Sequence, residues 1–236
     1  MSIPHLGREK AFALIQEMTS ARNLLAYGTR VVRTAAFQDT TRDPILTLLS
    51  IGVEKLYKLT LGLASLDATH SWPTKRQMKA FGHNLADMHS TVMAELSTRT
   101  ANSTEYVRGL LAEVEADAVV VPLVATLGRY GESGRFYNLD RLGDNPQLSE
   151  SPQEYWQRME DAVIQDCHIA AAYTAAMDYP TDNALWDQLA KVINQRIADT
   201  VERLWTMVAV CGRNHALGVA GTTFGFEIHP NAVGEQ

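Results

Sequence analysis

The chain reads as an all-α protein, a bundle of six or seven long helices with one long irregular loop over about 128–153. Three observations predict this. Apolar residues recur at helical spacing through most of the sequence, no convincing pair of strand-like segments occurs, and capping residues stand where the periodic segments begin. At 236 residues and 46% hydrophobic content the chain can bury a large core, and a single domain over 1–236 is the simplest partition.

From Arg8 to Phe37 the series Phe12, Ile15, Met18, Leu24, Leu25, Val31, Val32 is helical, with room for a fresh cap at Thr19-Ser20. Thr40-Thr41-Arg42-Asp43-Pro44 supplies capping side chains and a first-turn proline for a second helix carrying Ile45, Leu48, Leu49, Val53, Leu56, Leu59 and Leu63. His70-Ser71-Trp72-Pro73-Thr74 interrupts the pattern, and a third helix is expected from Pro73 to Thr98. Asn102-Ser103-Thr104-Glu105 opens a fourth, with Val107, Leu110, Leu111, Val114 and Ala118 on its inner face. The run Val119-Val120-Val121-Pro122 suits a buried strand or a proline-kinked helix; we favour the kink, continuing to Leu127. Ser151-Pro152-Gln153-Glu154 starts a helix to Asp178, which Tyr179-Pro180-Thr181-Asp182 ends. Leu185, Leu189, Val192, Ile193, Ile197, Val201, Leu204 and Val208 mark the last helix, before a glycine-rich tail from Gly212.

The net charge of −6 argues against a protein that holds long nucleic acid by bulk electrostatics. The charge is unevenly spread. Residues 1–110 carry 13 Lys/Arg against 9 Asp/Glu, and residues 111–236 carry 8 against 18, so an anionic ligand is better sought in the first half. No apolar run of about 18 residues appears, nor a secretory leader in MSIPHLGREKAF, so no membrane contact and a cytoplasmic location are expected. Cys167 and Cys211 lack a CxxC spacing and read as reduced, buried thiols.

The segment with a hint of chemistry lies inside the third helix. At about 100° per residue, Arg76, Lys79, His83 and Asp87 form one polar stripe opposite Phe81, Leu85, Met88, Val92 and Leu96. An imidazole exchanges protons near neutrality and a guanidinium holds a phosphate by two parallel hydrogen bonds, so Arg76, His83 and Asp87 suit phosphodiester cleavage by a ribose 2′-hydroxyl. Lys79 and Asn84 would assist binding. A solvated helix face with an i,i+4 His83–Asp87 contact accounts for the same residues. Gly82 beside His83 suggests close approach by another backbone.

The apolar helix bearing Gly52-Val53-Glu54-Lys55-Leu56, the loop after it, and Gly82-His83-Asn84-Leu85 together resemble the core of HEPN domains, over about residues 20–100. That resemblance implies an α-helical module and, for many members, a metal-independent RNase whose arginine and histidine come from two protomers across a dimer cleft. Arg76 and His83, with six residues between them, match the upper limit of the family's interval. Gln77 fits the pattern; Leu85 stands where an aromatic is usual, and His83-Asn84-Leu85 resembles a segment of non-catalytic members. The helices of about 102–210 lie outside the resemblance.

The segment Arg129-Tyr130-Gly131-Glu132-Ser133-Gly134-Arg135-Phe136-Tyr137-Asn138 offers Arg129, Arg135 and Tyr137 to a phosphate or base, or else is an ordered connection whose aromatics anchor it. His83 and Asp87 with His89 or Glu54 could hold a metal, but the Glu-x-x-His pairs of di-iron bundles are missing. Cys167 and His168, adjacent on a helix, should point about 100° apart and make poor co-ligands. His215 belongs at a helix C-terminus. The expectation is therefore a cytoplasmic, homodimeric, HEPN-like protein that binds or cleaves RNA or nucleotide, with no metal and no cofactor. The alternatives are a non-catalytic helical module that binds itself or a protein partner, and a small-molecule or metal site within the bundle.

Overall fold

The computed structural model describes residues 3–35 and 38–233. Among them stand eleven α-helices and no strand, so the fold is all-α as expected. No helix among the described residues is long and apolar enough to cross a membrane.

The first two helices, α1 (Arg8–Thr34) and α2 (Gln38–Thr69), pack along each other, and α10 (Asn183–Arg213) lies against α1. Helix α1 runs through Thr19-Ser20 without a break. Helix α2 begins before Thr40-Thr41, so Pro44 lies inside it and not in its first turn. The core these helices share is apolar: Leu25, Leu46, Leu49, Leu56, Leu63, Met207 and Val208 are fully buried. Each such side chain is worth roughly 1.5–3 kcal/mol of burial.

The expected third helix is two. Thr74 caps α3 (Lys75–Ala80) in a reciprocal pair with Gln77, and α4 (Leu85–Thr100) starts at Asn84. Between them Gly82 has φ +67°, a left-handed conformation that ends a helix and that side chains with a Cβ adopt at a cost. Asn84 then accepts hydrogen bonds from the Ala86 and Asp87 N–H groups at 3.0 and 3.1 Å, which starts a helix on a new axis.

The expected kinked helix also divides. α5 (Glu105–Ala116), capped by Thr104 as the sequence suggests, ends at Asp117; α6 (Val120–Glu132) begins with Pro122 in its first turn, where no intrahelical N–H is needed. Most of the expected loop is helical: α6 reaches Glu132, a 3-10 turn spans Gly134–Phe136, and α7 covers Tyr137–Leu142, leaving 143–151 irregular. The apolar face of α6, with Val120, Leu123, Val124 and Leu127 buried, explains why the chain stays helical past Gly128.

Ser151 caps α8 (Pro152–Ile164) in a reciprocal pair with Glu154, as its sequence indicates, but Asp166 begins a separate α9 (Cys167–Asp178). Beyond α10 the glycine-rich tail is a helix, α11 (Gly218–Glu227), that buries one face, with Phe224 fully enclosed. Its glycines bring backbones together: a Cβ on Gly225 would stand 2.3 Å from the Arg213 nitrogen and 2.5 Å from the Ala209 carbonyl oxygen. His215 follows the C-terminus of α10 in a left-handed conformation, its ring against the Thr222 hydroxyl at 2.9 Å.

Candidate functional site

Along α2, Thr47, Ser50, Ile51 and Glu54 recur at intervals of one helical turn and so share a face. The α3–α4 turn brings His83 to one end of that face. The C-terminal turn of α6 brings Tyr130, Gly131 and Glu132, and the following 3-10 turn adds Arg135. These nine residues line a cleft of about 230 Å³. Tyr130 and Thr47 join α6 to α2 by a 2.9 Å hydrogen bond between hydroxyls, and the Ser50 hydroxyl lies 3.4 Å from the Thr47 carbonyl.

The chemistry of the cleft centres on Glu54. Its Oε1 accepts from His83 Nδ1 at 2.9 Å and from Lys58 Nζ at 2.7 Å. An ionised carboxylate only accepts, so His83 donates to it through Nδ1. The Glu54 side chain is largely covered while that of His83 is two-thirds exposed, so the carboxylate is fixed and the imidazole remains reachable. Arg135 forms no ion pair among the described residues, and its guanidinium lies 5.1 Å from the Phe136 ring centre. The cleft therefore combines an oriented imidazole, an available guanidinium and three hydroxyl groups.

The remaining sequence candidates are scattered. Because the helix breaks at Gly82, the stripe of Arg76, Lys79, His83 and Asp87 does not exist as one face. Arg76 and Lys79 lie exposed on α3, and Asp87 is exposed in the first turn of α4. None of the three lines the cleft. The side-chain oxygen of Asn84 is occupied in capping α4. Arg129 is buried, 7% exposed, and its three nitrogens donate to the Glu150 carbonyl at 2.7 Å, Ser133 Oγ at 2.8 Å and Gln147 Oε1 at 2.6 Å. With Tyr137 5.8 Å beneath the guanidinium, this arginine pins the 143–151 segment and does not face the cleft.

Thr47 and Ser50 are site residues that sequence spacing does not single out, whereas Tyr130 and Glu132 stand in the 129–138 segment that the sequence offers as a candidate. Only Glu54, a carboxylate within an apolar helix, carries a signal of its own. A second polar centre is equally silent in the sequence: Asp117, with its side chain 1% exposed, accepts from Arg196 and Arg203 of α10. Burial pushes its carboxyl up, but hydrogen bonds from Arg196 and the Val119 N–H, with the charges of both arginines, hold it below the usual carboxylate range. Further along α2, the fully buried Tyr57 hydroxyl lies 2.7 Å from His89 Nδ1, and burial lowers the affinity of His89 for a proton. Comparison with protein-family models, curated proteins and solved structures finds no match.

Proposed function

We propose that this cleft binds a phosphate-bearing ligand and that the protein is a metal-independent ribonuclease of HEPN-like character. The observation that carries the reading is the Glu54–His83 hydrogen bond, 2.9 Å long, in a cleft that also holds Arg135. His83 Nε2 takes the proton from a ribose 2′-hydroxyl; that oxygen attacks phosphorus, and the bond from phosphorus to the 5′-oxygen breaks. The product is a 2′,3′-cyclic phosphate, and the departing 5′-oxygen takes a proton from solvent. Arg135 pairs with the phosphate oxygens, and Glu54 orients the imidazole and stabilises its cationic form. A cytoplasmic location goes with an RNA substrate, and a homodimer goes with the HEPN-like layout of α2 and the following turn.

The test is cleavage of a mixed RNA pool in excess EDTA by the full chain, beside folded His83→Ala, Glu54→Gln, Arg135→Ala and Arg76→Ala variants. Loss of about a hundredfold in His83→Ala is expected, with smaller losses in Glu54→Gln and Arg135→Ala. Arg76→Ala separates two arrangements: full activity assigns the phosphate to Arg135, and loss brings in Arg76 from a partner protomer. Absence of cleavage by the unaltered chain overturns the reading.

A second reading is favoured by one surface. Phe136, Leu139, Leu142 and Leu148, all well exposed, cluster on and around α7, and apolar patches of this kind commonly mark protein-interaction sites. It describes a non-catalytic module that pairs with itself or another protein, and Leu142→Asp should then raise the fraction of monomer in sedimentation.

A further inference from the structure

We propose that Asp166, Cys167 and His168 form a binding site for a zinc-like divalent metal ion. On a continuous helix adjacent side chains diverge, which is why Cys167 and His168 read as poor co-ligands from the sequence. Cys167 and His168 are the first two residues of α9, where no earlier turn of that helix limits their side chains. Gln165 closes α8, Asp166 is extended at φ −63° and ψ 125°, and α9 begins at Cys167. With no preceding helical turn in the way, the side chains fold toward one point: a carboxylate oxygen, the thiol sulfur and an imidazole nitrogen lie within 4.8 Å of one another.

The donor set selects the ion. Zinc takes sulfur, nitrogen and oxygen at about 2.0–2.3 Å in a tetrahedron, which puts its ligand atoms roughly 3.3–3.8 Å apart. Small side-chain rotations of the exposed Cys167 and His168 close the remaining gap. Calcium and magnesium require a shell of oxygens, and a single carboxylate does not supply one. Three protein donors leave a fourth position for water or another ligand.

What surrounds the triplet supports a built site. Asp166 Oδ2 accepts from Arg196 Nε at 3.0 Å, and Arg196 is in turn held by the buried Asp117, with Nη2 2.6 Å from Oδ1. Asp166 Oδ1 accepts from the His168 N–H at 3.1 Å. Outer partners of this kind fix the direction of a ligating carboxylate before the metal arrives. Asp166 also borders an open cleft of about 460 Å³, shared with Glu113, Asp117, Arg196 and Arg203. This site is separate from the cleft at His83 and stands or falls independently of it.

The experiment is titration of the reduced full-length chain with cobalt(II), followed by the thiolate-to-cobalt charge-transfer absorption in the near ultraviolet. A stoichiometric band that zinc bleaches is expected. Cys167→Ser should abolish the band, His168→Ala should weaken cobalt binding by at least about tenfold, and Cys211→Ser should leave it unchanged. Both altered ligands are exposed, and far-ultraviolet circular dichroism checks that each variant is folded. Absence of the band in the unaltered chain, or its persistence in Cys167→Ser, overturns the proposal.

Discussion

The buried Asp117 and the part-buried Arg196 form an ion pair across 79 positions of sequence, with Oδ1 2.6 Å from Nη2 and Oδ2 3.1 Å from Nη1. Arg203 and the Thr200 hydroxyl meet the same carboxylate, and the Val119 N–H donates to it at 3.0 Å. The turn between α5 and α6 is thereby fastened to α10. Through Asp166, Arg196 also reaches the start of α9, so one guanidinium joins three parts of the fold.

Asp117→Asn leaves two arginines facing an uncharged amide. Removing one partner of a buried pair costs about 3–5 kcal/mol, and the exposure of Arg203 places the loss at the lower end. Because the folded chain holds Asp117 below the usual carboxylate range, its contribution is complete above the unfolded-state value and disappears as the pH falls through the folded-state value. Urea denaturation as a function of pH should show this acid-dependent fall in the unaltered chain, and a smaller one in Asp117→Asn.

Gly82 is required for its left-handed backbone and not for space, since a Cβ there would meet nothing nearer than the Asn84 nitrogen at 3.9 Å. Gly82→Ala should therefore cost about 1–2 kcal/mol from backbone strain alone, and Gly82→Asn less. Equal losses in the two variants, measured by urea denaturation, would point to crowding instead.

His89 is half-buried beside the fully buried Tyr57, and desolvation lowers its proton affinity below that of the unfolded chain. The unfolded state then binds the proton first. Stability contributed by His89 is complete above the unfolded-state value and is lost as the pH falls from there through the folded-state value. His89→Gln keeps an acceptor for the Tyr57 hydroxyl but does not titrate, so thermal melts between neutral and mildly acidic pH should flatten in that variant.

Cys211 and Cys167 should differ in reactivity. Cys211 is fully buried and its thiol is pushed up to about 12, whereas Cys167 is exposed, contrary to the expectation of two buried thiols. A disulfide thiol reagent should label one cysteine rapidly in the folded chain and the second only on unfolding. Peptide mapping should place the fast label on Cys167, and added zinc should slow it if the proposed site forms.

Much of the helical framework is readable in the sequence. Leu48, Leu49, Val53, Leu56 and Leu63 mark α2, and Leu189, Ile193, Ile197, Val201, Leu204 and Val208 mark α10. Thr104 and Ser151 announce their helices by local capping chemistry. Boundaries between consecutive helices are less legible. Gly82 reads equally as a costly residue within a helix or as a left-handed stop, and Asp166 reads as one more polar residue on a helix until its carboxylate is seen to cap α9.

The composition and periodicity of the chain decide its class, because apolar spacing and capping act over a few residues and need no partner. Tertiary packing decides the chemistry. His83 and Arg135 are visible as reactive types, but Glu54 reaches His83 and both share one cleft with Arg135 only because α6 packs against α2 beside the α3–α4 turn. Arg129 has the same chemistry as Arg135, and burial alone assigns it to holding a loop. Which side chains converge is set by the summed packing of distant helices, and no local pattern encodes that sum.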